Sequence, residues 1–288
     1  MPSYFSTIGF PIQSDEELLN VANAIAQSAT PLEVEGGTYL RWSCQSGAEI
    51  WLLVNPDHEL LAVNPHFMGT SEVRVRIEGM VDKPGADELD GAFFAWANPV
   101  DQNDAPETQP TEEDDFPSED ETEEGQPAPG DYPFVFEAPD FRAYSDLKLP
   151  SMALVQLSAF AQEATIFESL EAYENAQESP SPEQSNGQEA PKLSPQSFVP
   201  VGLFPTEGQE ETIPEPIAMF TGVILEVELK ENELSRHPYH YALVETFGGR
   251  LDVVIDPEVT NAPPIVGGII QGMFWLSGRL MDYESEDE

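Results

Sequence analysis

The side chains that could bind a metal ion are few and scattered. His58 and His66 each follow an Asn-Pro pair, and His237 and His240 flank the dipeptide Pro-Tyr. A spacing of three would place the last two on one face of a helix, but the surrounding residues predict a loop and a strand. Zinc sites need three or four converging ligands, and the single cysteine, Cys44, is isolated. The sequence therefore predicts exposed or locally hydrogen-bonded histidines, and it assigns no metal site and no cofactor.

Motifs for nucleophilic or phosphate chemistry are missing from the sequence. It contains no G-x-S-x-G, no Walker A loop, no G-x-G-x-x-G and no calcium-binding loop pattern. Cys44 has no identifiable base as a partner. We therefore assign no catalytic residue, and an enzyme is the less favoured interpretation.

Carboxylates dominate the sequence. It has 54 Asp and Glu against 11 Lys and Arg, a formal net charge of −43. Residues 101–131 hold 13 acids and no base, including the run TEEDDFPSEDETEE from Thr111 to Glu124. Such a segment is expected to be disordered and extended by self-repulsion. It could act in solvation or dock on a basic partner, and the candidate contact residues are Glu112, Glu113, Asp114, Asp115, Glu119, Asp120 and Glu121.

Three aromatic residues near the C-terminus are further candidates for partner binding. Tyr239, Tyr241 and Trp275 lie in predicted strands and could form one aromatic face. Core packing is the alternative, because aromatic side chains on alternating strands commonly fill an interior.

Charge and composition exclude some classes of partner and compartment. Nucleic acids and anionic membranes are unfavourable partners, because their recognition depends on Lys and Arg. One cysteine cannot form an intrachain disulfide, which fits a reducing compartment. The N-terminal residues do not resemble a signal peptide, and no run of about 18 apolar residues occurs. We expect a cytoplasmic protein, and the oligomeric state stays open.

Residues 1–70 predict a βαβββ unit. Ser14 and Glu17 have capping-box spacing, and apolar residues then recur with helical periodicity. The helix is predicted from Asp15 to about Gln27. The flanking strands are predicted over Tyr4 to Ile12, Tyr39 to Trp42, Glu49 to Val54 and Leu60 to Val63.

Residues 71–177 predict a β domain with the acidic stretch 101–131 inserted in a loop. Strand patterns begin at Val73, Gly91 and Pro133, on both sides of the insertion. The segment from Met152 to Phe167 fits either a strand or a helix; we favour a strand, followed by a short helix from Leu170 to Ala176 capped by Ser169.

Residues 178–197, rich in Ser, Pro and Gln, predict a linker, and residues 282–288 an acidic tail. Between them, 198–281 predicts a second β domain: the apolar run FVPVGLF, which should pack on a domain, and four or five strands joined by turns, one at Gly248-Gly249. The strand series of 71–177 and 198–281 run in similar order, so an internal repeat is one possibility.

Two resemblances follow from these residues. The series TGVILEVEL, YHYALVE, LDVVIDPEV and IIQGMFWLSGRL resembles an OB-fold, a small closed barrel that commonly binds oligonucleotides or oligosaccharides. With four Lys and Arg in 217–281, it lacks the usual phosphate contacts. Residues 1–70, with GGTYLRWS and SGAEIWL, are similar to one half-module of the vicinal-oxygen-chelate family; that resemblance implies metal ligands on strands, for which only Glu49 is available.

Taken together, the sequence predicts an α+β protein, mostly β, with a βαβββ unit, a central β domain and a C-terminal OB-like barrel. The favoured function is non-enzymatic binding of a basic partner protein, with an immunity protein or a nucleic-acid mimic as special cases. A metal-dependent small-molecule binder or enzyme is one alternative. Acidity that serves only solubility or adaptation to salt is another.

Overall fold

The computed structural model describes residues 4–82, 89–97, 132–178, 193–203 and 214–283. This part of the chain is α+β and mostly β, as predicted. Its helices are α1 (Asp15–Ala26) and α2 (Leu170–Glu178). Its strands are β1 (Thr30–Val34), β2 (Gly37–Ser43), β3 (Ala48–Val54), β4 (Leu60–Phe67), β5 (Val73–Asp82), β6 (Gly91–Ala97), β7 (Tyr132–Ala138), β8 (Ser151–Phe167), β9 (Phe198–Val199), β10 (Ile217–Glu231), β11 (Pro238–Thr246), β12 (Gly249–Ile255) and β13 (Ile269–Tyr283).

The N-terminal unit comprises α1 and an antiparallel sheet in the order β1-β2-β3-β4. Ser14 caps α1 by accepting a hydrogen bond from the Glu17 backbone, as its spacing predicted. The strand predicted over Tyr4 to Ile12 is wrong: a 3-10 turn, Ser6–Ile8, ends at Gly9 with a φ of 84°. Because Gly9 tolerates this left-handed conformation, the apolar run folds back instead of extending.

The sheet of the N-terminal unit differs from the prediction in two further ways. β1 was not predicted, since TPLEV is almost wholly exposed and has no apolar alternation. β4 continues to Phe67, beyond the predicted end at Val63, and pairs with β3 along its length, so His66 lies in a strand and is buried instead of exposed.

The remaining nine strands form one sheet that closes into two five-stranded barrels. In the first barrel the strands follow each other as β5-β6-β7-β13-β8 and return to β5. In the second they follow as β10-β11-β12-β8-β13 and return to β10. Each barrel therefore contains both β8 and β13, and each takes strands from both of the segments 71–177 and 198–281.

The strand pairing repeats between these segments. The order β5, β6, β7, β8 corresponds to β10, β11, β12, β13: first pairs with second, second with third and first with fourth in both sets. The third strand of each set pairs in parallel with the fourth strand of the other set, as β7 with β13 and β12 with β8. The two sets therefore pair in the same order and share their closing strands, β8 and β13.

Several predicted local elements are confirmed. Residues 151–167 form one long strand, and α2 follows it with the Ala172 backbone bonded to the Ser169 hydroxyl. β6 and β7, which precede and follow the acidic stretch, pair with each other, while the stretch 101–131 itself lies outside the described residues. Phe198, the first residue of the run FVPVGLF, is buried in β9 and packs on the sheet as expected.

Apolar side chains fill three regions. The largest core is built on the barrel strands and includes Phe93, Phe136, Phe220 and Phe274. A second core lies between the N-terminal unit and the barrels, where residues such as Ile50 of β3 share a cluster with residues such as Tyr239 of β11. A third lies on the other face of β3. Both faces of β3 are thus covered.

Candidate functional site

Five polar residues meet between the N-terminal unit and the barrels. This buried polar cluster comprises His66 of β4, Gln156 and Ser158 of β8, Asp252 of β12 and Ser277 of β13. None is more than 2% exposed. Since isolated polar groups are costly to bury, the chemistry of the cluster depends on how its hydrogen bonds are arranged.

Asp252 is the main acceptor of the cluster. Its Oδ1 accepts hydrogen bonds from the Thr70 backbone N–H at 3.0 Å and from the Tyr241 hydroxyl at 2.9 Å. Its Oδ2 accepts from the Ser71 backbone N–H and from Gln156 Nε2, both at 2.8 Å. Four donors around this carboxylate offset the cost of its burial, and no basic side chain of the described residues pairs with it.

Gly69 allows the backbone to reach this carboxylate. A side-chain carbon at position 69 would overlap the carboxyl group of Asp252. A glycine directly before the two donating backbone groups, Thr70 and Ser71, therefore lets the chain close on Asp252.

The tautomer of His66 follows from its neighbours. Gln156 Nε2 donates to Ser158 Oγ and to Asp252, so its amide oxygen faces His66 Nε2 at 3.0 Å. An oxygen only accepts, so Nε2 carries the imidazole hydrogen, and Nδ1 accepts from the Ser277 hydroxyl at 2.9 Å. Burial, assisted by the charge of Arg279, lowers the pKa of His66 to about 3, which keeps the ring neutral.

The cluster resembles a catalytic relay in composition but not in accessibility. Ser277 is 1% exposed, and its hydroxyl donates to His66. Ser158 donates to the Phe67 carbonyl, so each hydroxyl already has an acceptor inside the protein. These hydrogen bonds join β4 to β8, β12 and β13. They therefore attach the N-terminal unit to the barrels.

A second polar group lies on the other side of β3. Arg279 Nε donates to Asp140 Oδ2 at 2.8 Å, and the Tyr144 hydroxyl donates to Asp140 Oδ1 at 2.9 Å. The guanidinium of Arg279 lies 4.9 Å from the centre of the Trp51 ring, whose Nε1 donates to Glu49. Burial raises the pKa of Glu49, although the nearby Arg279 charge opposes this shift. Glu49, the residue considered as a metal ligand, is therefore held by Trp51.

The predicted aromatic residues are buried beneath the N-terminal unit. Tyr239 donates its hydroxyl to the Ser46 carbonyl, and Tyr241 donates to Asp252. Trp275 stacks on Tyr4 with ring centroids 4.7 Å apart. All three are below 9% exposure, so a partner cannot reach them in this conformation, and core packing describes their place.

The other histidines and the cysteine do not converge. Exposed His58 has a φ of 64° in a turn, and exposed His237 bonds to the Ser235 carbonyl. His240 is half-buried, with its pKa lowered by burial. Burial likewise raises the pKa of the Cys44 thiol. Within the described ranges, no three His, Cys, Asp or Glu side chains are grouped so that they could hold a metal ion.

Carboxylates dominate the outer surface of the described residues. The acidic candidates Glu112, Glu113, Asp114, Asp115, Glu119, Asp120 and Glu121 lie outside those residues. Within them, twenty Asp and Glu are exposed, whereas four bases are: Arg74, Lys148, Arg236 and Arg250. Arg236 and Arg250 are each already paired with a glutamate.

A shallow pocket of about 300 Å³ lies across β10, β13 and β8, and its walls include Met219, Met273 and Glu163. Glu163 is the one titratable side chain of its lining, so the pocket offers no pair of acid and base. Neither α1 nor α2, the helices in the portion of the chain that is described, is long and apolar enough to cross a membrane.

Comparison with protein-family models, with curated proteins and with solved structures found no match to this chain.

Proposed function

We propose that this chain is a non-enzymatic interaction protein that binds a basic surface of a partner protein. The observation that carries the proposal is the imbalance of exposed charge, twenty acids against four bases among the described residues. With a net charge of −43 for the whole sequence, a basic protein would be attracted electrostatically.

The buried polar groups support the same proposal. The polar side chains near the centre of the molecule are engaged in hydrogen bonds that hold the N-terminal unit on the barrels. A ligand would have to break those bonds to use these groups. The exposed carboxylates, in contrast, lie at the surface, where a partner can reach them without opening the fold.

The test is retention of partners on the immobilised full chain as ionic strength rises. Raising salt from about 0.01 M to about 1 M shortens the Debye length from about 30 Å to about 3 Å. We expect a small set of basic proteins to bind at low salt, with association rates that fall steeply as salt increases. A protein of equal size and net charge but unrelated sequence is the control for simple ion exchange.

Two results would contradict the proposal. One is that no basic protein is retained at low salt, or that the control retains the same set. The other is a protein that unfolds when desalted and refolds in molar NaCl, since this would favour acidity as an adaptation to salt. The free energy of unfolding measured against NaCl concentration distinguishes the two interpretations.

A further inference from the structure

The strand β10 has one edge that no described strand covers along Leu225–Glu231. β10 pairs with β11 along Val223–Glu231, and on its opposite edge it pairs with β13 along Ile217–Val223. The turn before β13 then continues that edge for one residue, because Ile224 exchanges hydrogen bonds with Gly267 and Gly268. Beyond Ile224, no described residue forms a backbone hydrogen bond with this edge. We call this side of the backbone of residues 225–231 the β10 edge.

Large aliphatic side chains are exposed beside the β10 edge. Leu229 is 66% exposed and Val227 is 38% exposed, on one face of the strand. In the adjoining turn, Ile265 and Val266 are 41% and 62% exposed. An open edge with this much aliphatic surface can accept another strand.

The other face of the β10 edge is acidic. Glu226 and Glu228 are exposed and alternate with Val227 and Leu229, so they lie on the opposite face. On that face Lys230 lies 5.2 Å from the centre of the Tyr241 ring, and it pairs with Glu228 at 2.9 Å. An added strand would therefore meet aliphatic side chains on one face and predominantly carboxylates on the other.

We propose that the β10 edge receives an extended segment of the basic partner, which adds to the sheet as a further strand. The segment has apolar residues beside Val227 and Leu229, alternating with Lys or Arg beside Glu226 and Glu228. Backbone hydrogen bonds supply affinity, and the alternation supplies specificity. This inference rests on the proposed function, since it names the site and the conformation through which the basic partner binds.

Charge also argues against a second copy of this chain as the occupant. Two β10 edges joined together would bring the carboxylates of both copies onto one surface, and like charges on neighbouring strands are unfavourable. A strand bearing Lys or Arg reverses that effect.

The probe is a ten-residue peptide in which Lys alternates with Val or Leu. Its first control has the same composition with all Lys residues in one block, and its second is the alternating peptide N-methylated at every second backbone nitrogen. Calorimetry with the full chain should show at least tenfold tighter binding of the alternating peptide than of either control. Hydrogen exchange should slow in residues 225–231 when it binds. Equal binding of all three peptides would overturn the inference.

Matched variants of the full chain locate the site. Val227→Ser with Leu229→Ser should weaken binding of the alternating peptide at least tenfold, whereas Leu60→Ser with Leu61→Ser, also exposed, should not change it. Hydrogen exchange outside 225–231 shows whether each variant is folded.

A second pair of variants separates this inference from the proposed function. Glu226→Gln with Glu228→Gln removes the same charge as Glu171→Gln with Glu174→Gln on α2, where both glutamates are exposed. The substitutions at Glu226 and Glu228 should weaken binding of the alternating peptide at least fivefold more than those at Glu171 and Glu174. If both pairs of substitutions weaken peptide binding equally, charge attracts the peptide without a defined site. That result would exclude the β10 edge as the binding site and leave the proposed function standing. If the unmodified chain retains no basic protein at low salt, the proposed function itself fails. A dimer that forms at high concentration and is lost in the Val227/Leu229 variant would overturn the assignment of a basic occupant.

Discussion

Replacement of Asp252 by alanine tests whether the buried polar cluster holds the molecule together. The substitution removes the acceptor of four hydrogen bonds. Thr70 is exposed, so water can reach its backbone N–H, and the buried Tyr241 hydroxyl retains the Thr70 hydroxyl as a partner at 3.4 Å. The Ser71 N–H and one Gln156 N–H are buried and would lose their acceptor.

The expected loss of stability follows from these two buried donors, which would lose their acceptor. Each buried donor without a partner costs about 1 to 3 kcal/mol. The loss of two such bonds, with a small contribution from the bonds of Thr70 and Tyr241, predicts a decrease of about 4 kcal/mol in the free energy of unfolding. A value that large is uncommon for a single substitution.

Urea-induced unfolding followed by tryptophan fluorescence measures this change. The control is Asp256→Ala, which removes an acceptor of one hydrogen bond, from the Glu258 backbone at the surface, and should cost about 1 kcal/mol. If Asp252→Ala does not fold, Asp252→Asn preserves the shape and should give about half the effect. A loss from Asp252→Ala below about 2 kcal/mol, or equal to that of the control, would refute the reasoning.

Two further predictions concern titration and a buried ion pair. The fold lowers the pKa of His66 from its ordinary value of 6.5 to about 3, so the unfolded chain binds the proton more readily than the folded chain. The free energy of unfolding should therefore decrease as the pH is lowered from 6.5 towards 3. Between pH 6.5 and 5, the slope of the free energy of unfolding against pH should be lower in His66→Gln than in the unmodified chain, by up to about 1.4 kcal/mol per pH unit. An unchanged slope would contradict this prediction. Arg279→Met leaves Asp140, 2% exposed, without its cation and should cost about 3 to 5 kcal/mol in the same denaturant assay. A cost below about 1 kcal/mol would show that the Tyr144 hydroxyl alone satisfies Asp140.

Local patterns in the sequence predicted the local elements well. The capping box at Ser14 and Glu17 located α1, and the Gly248-Gly249 turn located the boundary of β11 and β12. The same kind of pattern was misleading for Tyr4 to Ile12, because a short apolar run has no periodicity that distinguishes a strand from a compact turn. It is the positive φ at Gly9 that sets the conformation there.

Which strands pair with each other could not be predicted in the same way. A strand pattern indicates which residues face a core, but not which of two similar cores receives them. β8 and β13 are long enough to serve in both barrels, and their pairing with each other runs nearly the full length of both. The sequence predicted a β domain in 71–177 and an OB-like barrel in 198–281, whereas each barrel of the structure contains strands of both segments because β8 and β13 are shared.

The buried polar cluster has a signal in the sequence that is recognisable in retrospect. Gln156, Asp252 and Ser277 each interrupt an apolar strand at a position where a hydrophobic side chain is expected. No local rule connects them, since His66 and Ser277 are 211 residues apart. A polar residue inside a buried strand implies a partner without identifying it, because the partner is set by the tertiary fold.

The shared strands connect the fold to the proposed function. Because β8 and β13 belong to both barrels, opening either barrel disturbs the other, and the buried polar cluster lies on these two strands together with β12 and β4. Polar groups that hold such a centre together are not free to bind or transform a ligand. Among the described residues, the exposed carboxylates and the β10 edge, which extends beyond the pairing of β10 with β13, are groups that a partner can reach. The partner in the proposed function would therefore bind at the periphery, without opening the barrels.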